Sequence, residues 1–333
     1  MTDTSPLIEA QQRFAAAVPF RTLGAERCAL SASLGRTLFS DLVAPEDSPP
    51  YHRVIVEGFV VNAADTHEAS ESNPVSFSII GEVKPGDSTF PATAPGQALA
   101  VSTGSIVSDG ALSVVRMWEA TRQGDSFTIT RPFPPRFFIE DQGCDIKKGA
   151  VVLSAGTVLD PMNLGTVASL GIDTVDVARA PRVAVFSSGD EVIPSTEPMH
   201  PGAIRDSNSV MLAAAISQAG GVPVFGGIMR DDFDGFVAAA TQALKDADML
   251  VISGGTAVGG RDFISDLVRA LGELLVDGVP MRSGRPLIMG VAHGKPIVCV
   301  AGHPPEALRG FKLFGVAAIN KLLGRTEDLP LDA

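Results

Sequence analysis

Cysteine is scarce in this sequence of 333 residues, and long apolar runs are missing from it. The three cysteines, Cys28, Cys144 and Cys299, are odd in number and lie far apart, which argues against a disulfide framework and against a cysteine-based zinc site. No apolar run reaches the ~18 residues that a membrane-spanning helix needs. The start MTDTSP lacks the basic and apolar regions of a signal peptide. We therefore expect a cytoplasmic protein without a membrane partner.

Basic residues are also in the minority. The 26 lysines and arginines stand against 38 aspartates and glutamates, which gives a formal net charge of −12. Because general binding to nucleic acid or anionic lipid depends on neutralising phosphates, this charge argues against both as partners. Any anionic ligand must then be bound by a local site. The length of the chain predicts two or three domains.

Two kinds of secondary-structure pattern follow one another along the chain. Between residues 51 and 140, short β-type runs are separated by Gly, Pro, Asp and Asn without a helical period, which predicts a small all-β domain inserted into another domain. After Pro181 strands and helices alternate, as is typical of a mainly parallel sheet with helices on both faces. The predicted elements are strands at 182–187, 222–229 and 248–253, and helices at 208–219, 232–247, 261–271 and about 305–323.

The predicted parallel strands end in small and acidic residues. One strand runs into SSGDE at 187–191, another into SGG at 253–255, and the helix between them begins after DSNS at 206–209. Because the carboxyl ends of parallel strands meet at one edge of the sheet, these residues predict an anion-binding site there. Taken alone, the acidic residues fit helix capping and solvated loops better, and the glycines fit helix–sheet packing equally well.

The ordered set of loops resembles the molybdopterin molybdenumtransferase family. That family typically carries MDGYA, TGDE, PGxIxDSN, SGGxSxGxxD, a KPGKP-like loop and PGNPVSA in this order. The corresponding stretches here are VEGFV (56–60), SGDE (188–191), PGAIRDSN (201–208), SGGTAVGGRD (253–262), MRSGRP (281–286) and AGHPPEA (301–307). The resemblance covers nearly the whole chain, and it implies a three-layer α/β molybdopterin-binding domain.

The resemblance also implies the domain organisation. It divides the chain into the molybdopterin-binding α/β domain, a small linking α+β domain and the inserted β domain. A homodimer is implied as well, in which the active-site cleft lies between the α/β domain of one subunit and the inserted domain of the other. The expected domains are residues 1–24 plus 176–333, residues 25–50 plus 141–175, and residues 51–140, respectively.

The function implied by the resemblance is insertion of molybdate into adenylylated molybdopterin with release of AMP, with Mg²⁺ as the metal ion. A molybdoenzyme that receives the product is a further partner. Hard carboxylate oxygens suit Mg²⁺ bound next to a phosphate, and small neutral groups suit a pterin. The expected metal ligands are Asp190, Glu191, Asp206 and Asp262; the pterin contacts are Ser188, Gly189, Ser207, Asn208, Ser253, Gly254, Gly255, Gly259 and Gly302; the catalytic residues are Glu57, Arg282 and Arg285.

Several of these positions depart from the family pattern. Glu57 replaces an aspartate, Arg282 and Arg285 replace lysines, Glu306 replaces a serine and His303 replaces an asparagine. Arginine still binds oxyanions, but its reach and geometry differ from those of lysine. These departures leave an alternative open, in which the protein is a catalytically degenerate carrier or maturation protein that binds molybdopterin or the finished cofactor.

Overall fold

The computed structural model describes residues 6–254, 263–281 and 284–325, apart from the side chains of Pro280 and Met281. The chain folds into two compact units. The α/β unit consists of Met1–Ser40, Ser154–Gly165 and Asp173–Ala333, and the β unit consists of Asp41–Leu153 and Thr166–Ile172. Within the described residues, no helix has the length and apolar character to cross a membrane.

Short helices and strands follow one another along the described residues. The α-helices are α1 (Pro6–Ala17), α2 (Pro161–Ser169), α3 (Asn208–Gln218), α4 (Phe233–Asp246), α5 (Phe263–Leu271), α6 (Pro304–Gly310) and α7 (Val316–Leu323). The strands of the first half are β1 (Ala25–Ala29), β2 (Leu42–Val43), β3 (Arg53–Val54), β4 (Gly58–Asn62), β5 (Val75–Val83), β6 (Gln97–Val101), β7 (Leu112–Arg116), β8 (Thr121–Gln123), β9 (Ser126–Ile129), β10 (Ile139–Glu140) and β11 (Val151–Leu153). Those of the second half are β12 (Thr174–Ala178), β13 (Arg182–Ser188), β14 (Val192–Ile193), β15 (Ile204–Arg205), β16 (Val222–Met229), β17 (Met249–Gly254), β18 (Glu273–Met281), β19 (Gly284–Ala292) and β20 (Lys295–Val300).

The α/β unit is built around a six-stranded sheet in the order β16-β13-β17-β20-β19-β18. The first four of these strands are mutually parallel, whereas β19 runs antiparallel to β20 and β18. The predicted alternation of strands and helices after Pro181 is therefore confirmed, and so is the mainly parallel sheet. The carboxyl ends of β16, β13, β17 and β20 all lie at one edge.

Side chains that alternate along β13 explain why helices cover both faces of this sheet. Val183 and Val185 pack into one buried cluster with α1, α3 and α7. Ala184 and Phe186 pack into a second cluster with α4 and α5. Because successive residues of a strand point to opposite faces, a continuous apolar run specifies a sheet that is buried on both sides. The result is the predicted three-layer α/β architecture.

The final helical region is continuous from Pro304 to Leu323, as predicted, and contains one departure from α-helical geometry. Between α6 and α7 the residues Phe311–Gly315 form a π-helical turn. A Cβ at Gly315 would lie 2.3 Å from the Phe311 ring, so the buried ring occupies space next to the helix that only a glycine leaves open. An extra residue in one turn is the defining feature of such a π-bulge.

The β unit contains a second six-stranded sheet, in the order β7-β4-β6-β5-β9-β8. The pairing is antiparallel except between β5 and β6. Phe59, Phe77 and Phe127 stack on one face with ring centroids 4.3 and 5.3 Å apart, and Val60 packs into a separate cluster. In chain order, 3₁₀ turns are the helical elements between β3 and β11, as the lack of a helical period predicts.

Candidate functional site

A cleft of about 560 Å³ opens at the carboxyl edge of the parallel strands of the α/β unit. We call it the α3 cleft, because α3 begins at its wall. Residues from the ends of β13, β16, β17 and β20 meet there, as expected for a parallel sheet. The cleft is lined by Ser187, Ser188, Gly189, Glu191, Val192, Ile204, Arg205, Asp206, Ser207, Asn208, Asp231, Ser253, Gly254, Gly302, His303 and Pro304.

The floor of the α3 cleft is made of backbone, because β13 and β17 approach closely where both end. Ser188 pairs with Gly254 in the parallel ladder. A Cβ at Gly254 would lie 2.5 Å from the Ser188 carbonyl oxygen, and Gly254 has a φ of 98°. Both conditions require glycine at this position. A flat ligand can therefore approach the main chain directly.

Asn208 ties three walls of the cleft together. Its Nδ2 donates to the Ser253 Oγ and to the Gly302 carbonyl oxygen, both at 2.7 Å. The carbonyl can only accept, so the orientation of the Asn208 amide is fixed. Ser253 Oγ in turn donates to the Ala301 carbonyl oxygen at 3.1 Å. This chain of hydrogen bonds joins the start of α3 to the ends of β17 and β20.

Two buried polar atoms beside this network have no hydrogen-bond partner within the described part of the chain. They are Ser188 Oγ and Asn208 Oδ1, on side chains that are 3% and 9% exposed. Buried polar groups almost always have partners, so each exception requires an explanation. Since both Asn208 amide protons are already donated, its Oδ1 can only accept, and no donor to it lies within the described residues.

Asp206 performs a structural task at the start of α3. Its Oδ1 accepts from Ser187 Oγ at 2.8 Å and from the Ser209 backbone N–H at 3.0 Å, and the residue is 6% exposed. The second bond satisfies one of the free N–H groups of the first helical turn. The side chain thus connects the end of β13 to the helix.

Three carboxylates form what we call the acidic rim of the cleft: Asp190, Glu191 and Asp231. The Asp231 backbone N–H donates to Asp190 Oδ1 at 3.3 Å. The pKa of Asp231 is raised, mainly by partial burial and further by the charges of Asp190 and Glu191. Negative charge is therefore crowded at this rim, which favours a cation there.

The donor set of the rim fits a magnesium ion only in part. Among residues 6–254, 263–281 and 284–325, no three His, Cys, Asp or Glu side chains are grouped closely enough to hold a metal by themselves. Mg²⁺, however, is usually held by one or two carboxylates together with substrate phosphates and water. Asp190 and Glu191 are exposed and suit that arrangement, whereas Asp206 Oδ1 already accepts two hydrogen bonds.

Glu57 lies in a different part of the protein. It lines a cleft of about 610 Å³ in the β unit, which we call the Glu57 cleft. Charged and polar side chains are interspersed there with apolar ones. The lining residues are Glu57, Gly58, Phe59, Ile79, Ile80, Gly81, Glu82, Ala100, Val101, Ser102, Met117, Arg122 and Asp125.

The remaining predicted residues fall into three groups. Ser207 and Gly302 line the α3 cleft. Arg285 is not among the residues that line it; its guanidinium donates to the carbonyl oxygens of Asp277 at 3.1 Å and Gly278 at 2.8 Å. Gly255, Gly259, Asp262 and Arg282 lie outside the described residues.

Asp231 lines the α3 cleft, and the sequence analysis did not predict it as a site residue. The signal was present, since Asp231 follows β16, and loops that follow parallel strands share one edge. His303, which departs from the family pattern and carried no expected role, also lines the cleft.

Models of known protein families match most of the chain. Residues 5–171 match a family model described as the MoeA N-terminal region (domain I and II). Residues 184–321 match a model described as a probable molybdopterin binding domain. The second range contains every residue that lines the α3 cleft, and the first contains Glu57.

Curated relatives and solved structures agree with these models. The molybdopterin molybdenumtransferase of Bacillus subtilis is 35% identical over 295 residues, covering 87% of this chain and 68% of the relative. That of Staphylococcus aureus strain Mu50 is 30% identical, covering 91% and 72%. Two crystal structures of molybdopterin biosynthesis MoeA protein from Pyrococcus horikoshii superpose with TM-scores of 0.82 and 0.84 at 32% and 29% identity, each covering 98% of this chain and 81% of the other.

Proposed function

The chain belongs to the molybdopterin molybdenumtransferase family, and from this premise we propose that it inserts molybdate into adenylylated molybdopterin and releases AMP. The observation that carries the proposal is the α3 cleft. It combines a backbone floor at Gly254 with buried polar atoms that lack partners in the described structure. A pterin presents a flat ring and an edge of N–H donors, and both features are complementary to this cleft.

In this proposal the neutral groups of the α3 cleft bind the pterin. Asn208 Oδ1 and Ser188 Oγ accept N–H groups from the ring edge, because both atoms are buried without a donor in the described structure. Ser253 acts through Asn208, whose amide it helps to orient. Ser207, Gly189 and Gly302 complete the lining. The match of a molybdopterin-binding domain to residues 184–321 supports this assignment.

The acidic rim is proposed to hold Mg²⁺ next to the phosphate groups of the substrate. Asp190 and Glu191 supply the ligands from this chain, and Asp231 adds negative charge close to them. A bound Mg²⁺ supplies charge neutralisation and orients the phosphate oxygens. Asp206, which the sequence assigned to the metal, is proposed instead to position α3 through its bonds to Ser187 and Ser209.

Glu57 is proposed to act in the transfer step, and Arg282 and Arg285 to bind the oxyanion. The homodimer, the cytoplasmic location and a molybdoenzyme as recipient of the product remain predictions from the sequence. The dimer belongs to the proposal because the resemblance implies that each subunit contributes half of a shared site. In that arrangement Glu57 of one subunit serves the α3 cleft of the other.

The experiment that tests the function is molybdate insertion measured on adenylylated molybdopterin, with AMP release followed in the same reaction. Glu57→Gln should abolish turnover and leave the affinity for the substrate within about threefold, as expected of a group used mainly in the transition state. Glu82→Gln removes a charge from the same cleft and is the matched control. It should lower turnover far less.

Two outcomes would contradict the proposal. A wild-type protein that binds molybdopterin but never releases AMP would instead be a carrier, the alternative that the departures at Glu57 and Glu306 leave open. If the wild type is active and Glu57→Gln turns over at the same rate, the transfer step does not depend on Glu57 and is not assigned to the Glu57 cleft. Restoring Glu57→Asp together with Glu306→Ser tests the carrier alternative directly, because a gain of activity would show that these two positions had disabled the site.

A further inference from the structure

Trp118 stands at the open end of a stack of side chains in the β unit. The guanidinium carbon of Arg116 lies 4.9 Å from the centre of the Trp118 ring and 4.8 Å from the centre of the Phe138 ring. Glu119 holds the same guanidinium in a bidentate pair, with distances of 2.8 and 3.0 Å. We call these four residues the Trp118 stack. Arg116 is thus fixed at its edge by a carboxylate and contacts two aromatic rings.

Further contacts make the stack rigid. Arg131 forms a second ion pair with Glu119, and its guanidinium carbon lies 4.0 Å from the centre of the Phe133 ring. Phe138 has a φ of 56°, a conformation that costs a bulky residue on the order of 1–3 kcal/mol and persists only where the surroundings impose it. Backbone strain of this kind is concentrated at functional positions.

The Trp118 ring itself faces solvent. The residue is 69% exposed, and the preceding Met117 is 46% exposed. A tryptophan ring carries a large apolar surface and usually buries most of it. Packing against Arg116 accounts for contact with one side of the ring, and the high exposure leaves surface that a ligand can cover.

The position of Trp118 in the chain places it one residue from the lining of the Glu57 cleft. Met117 lines that cleft, and its backbone N–H lies 3.4 Å from the Glu57 carbonyl oxygen. Trp118 follows Met117 directly in the 3₁₀ turn Met117–Glu119. Trp118 is not itself among the lining residues, but it is the chain neighbour of a residue in the wall of a cavity that also carries Glu57 and Arg122.

The composition of this surface favours a small polar ligand over a protein partner. Interface centres are depleted of acidic residues, whereas the cleft beside Trp118 contains Glu57, Glu82 and Asp125 together with Arg122. Ligand sites combine an apolar surface with a few polar groups that fix orientation. A planar ring with N–H and ring-nitrogen groups uses both parts of such a surface.

We propose that Trp118 is a stacking platform for a planar nitrogen heterocycle, namely the adenine or the pterin ring of the adenylylated substrate. The identity of the ring rests on the proposed function, whereas the platform rests on the Trp118 stack and the Glu57 cleft. Met117 supplies adjoining apolar contact, the carboxylates of the cleft accept the N–H groups of the ring edge, and Arg122 binds the ribose phosphate. Trp118 is then a specificity-determining residue rather than a catalytic one.

The test uses the fact that Trp118 is the only tryptophan of the chain, so tryptophan fluorescence reports on this position alone. The full-length protein is titrated with AMP and, in separate experiments, with ribose 5-phosphate, which lacks the ring. Neopterin, which absorbs and emits light itself, is titrated by calorimetry. Saturable quenching by AMP, without quenching by ribose 5-phosphate, is expected if adenine stacks on the indole; neopterin binding that depends on Trp118 would assign the platform to the pterin.

Variants then separate stacking from other effects. Trp118→Ala should weaken binding of the stacking ligand by about fivefold to 150-fold, the range measured for base–aromatic stacking. Trp118→Phe keeps a ring and should retain most of the affinity. Phe225→Ala removes a ring that is similarly exposed in the α/β unit, at 61%, and is the matched control; it should leave binding unchanged.

Three results would overturn the platform. The first is that the wild type binds neither AMP nor neopterin. The second is equal affinity in wild type and Trp118→Ala. The third is a change in oligomeric state in Trp118→Ala with ligand binding intact, which would make Trp118 an interface residue. Trp118-dependent AMP binding in a protein that never inserts molybdate would instead refute the proposed function and leave the platform standing.

Discussion

Glu119 offers a quantitative test of how charge is organised in the β unit. Its carboxylate accepts two hydrogen bonds from Arg116 and pairs with Arg131. The hydrogen bonds from Arg116 are the main cause that lowers the pKa of Glu119 from 4.5 to about 2, against the opposing effect of burial, and Arg131 lowers it further. The Glu119 side chain is 14% exposed, so solvent screens the pair only in part.

The size of the effect follows from the shift in pKa. A difference between 4.5 and about 2, at about 1.4 kcal/mol per pKa unit, corresponds to on the order of 3 kcal/mol in the free energy of unfolding. The folded pKa lies below the unfolded value. The stabilisation is therefore complete above pH 4.5 and is lost as the pH falls from there toward 2.

The assay compares wild type with Glu119→Gln in urea unfolding followed by Trp118 fluorescence, which reports on the β unit. At pH 7 the variant should be less stable by roughly 2–3 kcal/mol, and at pH 3 this gap should shrink by about 2 kcal/mol, because protonation removes the wild-type advantage. Glu71→Gln, at an exposed glutamate of the same unit, is the matched control. A gap of equal size at both pH values would refute the assignment of the stabilisation to an ionised Glu119.

Four further predictions concern the α3 cleft and the assembly. Asn208→Ala leaves the Gly302 carbonyl oxygen without its donor and should lower the free energy of unfolding by about 1–3 kcal/mol in urea titrations. Gly254→Ala should destabilise by more than ~1 kcal/mol and abolish pterin binding, since its Cβ would meet Ser188 at 2.5 Å. The Cβ of Gly302→Ala meets its nearest described neighbour at 3.6 Å, so this variant should keep the free energy of unfolding of the wild type. Asp190→Ala should weaken substrate binding in calorimetry only when Mg²⁺ is present; an equal loss with chelator would indicate a folding defect. Sedimentation at tens of micromolar should show a dimer. A monomer would refute the proposal that two subunits share one active site.

The α/β architecture was predictable because it depends on short-range patterns. The apolar run Val183–Phe186 and the regular spacing of strands and helices specify a parallel sheet that is covered on both faces. The boundaries of α3 and α4 agree with the prediction within one or two residues. The π turn at Phe311–Gly315 was not predictable, because it depends on where the Phe311 ring packs and not on the local sequence.

The candidate site was predictable at the level of loops but not of individual roles. Strand ends and motifs placed Ser188, Asn208 and Gly254 at one edge, and the structure brings them together. The sequence does not show that Asp206 Oδ1 accepts hydrogen bonds from Ser187 and from a backbone N–H of α3, since those bonds depend on side-chain orientation. The Trp118 stack was missed for the same reason, because Arg116, Glu119 and Phe138 meet only through tertiary packing.

In the proposed site, charge crowding at the acidic rim connects the metal to the substrate. A chain of net charge −12 that places Asp190, Glu191 and Asp231 beside a cleft repels the phosphate groups of an anionic ligand. Partial burial is the main cause that raises the pKa of Asp231, and the charges of Asp190 and Glu191 raise it further. The pterin contacts proposed at Asn208 and Ser188 are neutral. In the proposed site, a divalent cation at the rim relieves both the carboxylate repulsion and the repulsion of phosphate. Because such coupling is reciprocal, Mg²⁺ should tighten substrate binding by the same factor by which the substrate tightens Mg²⁺ binding.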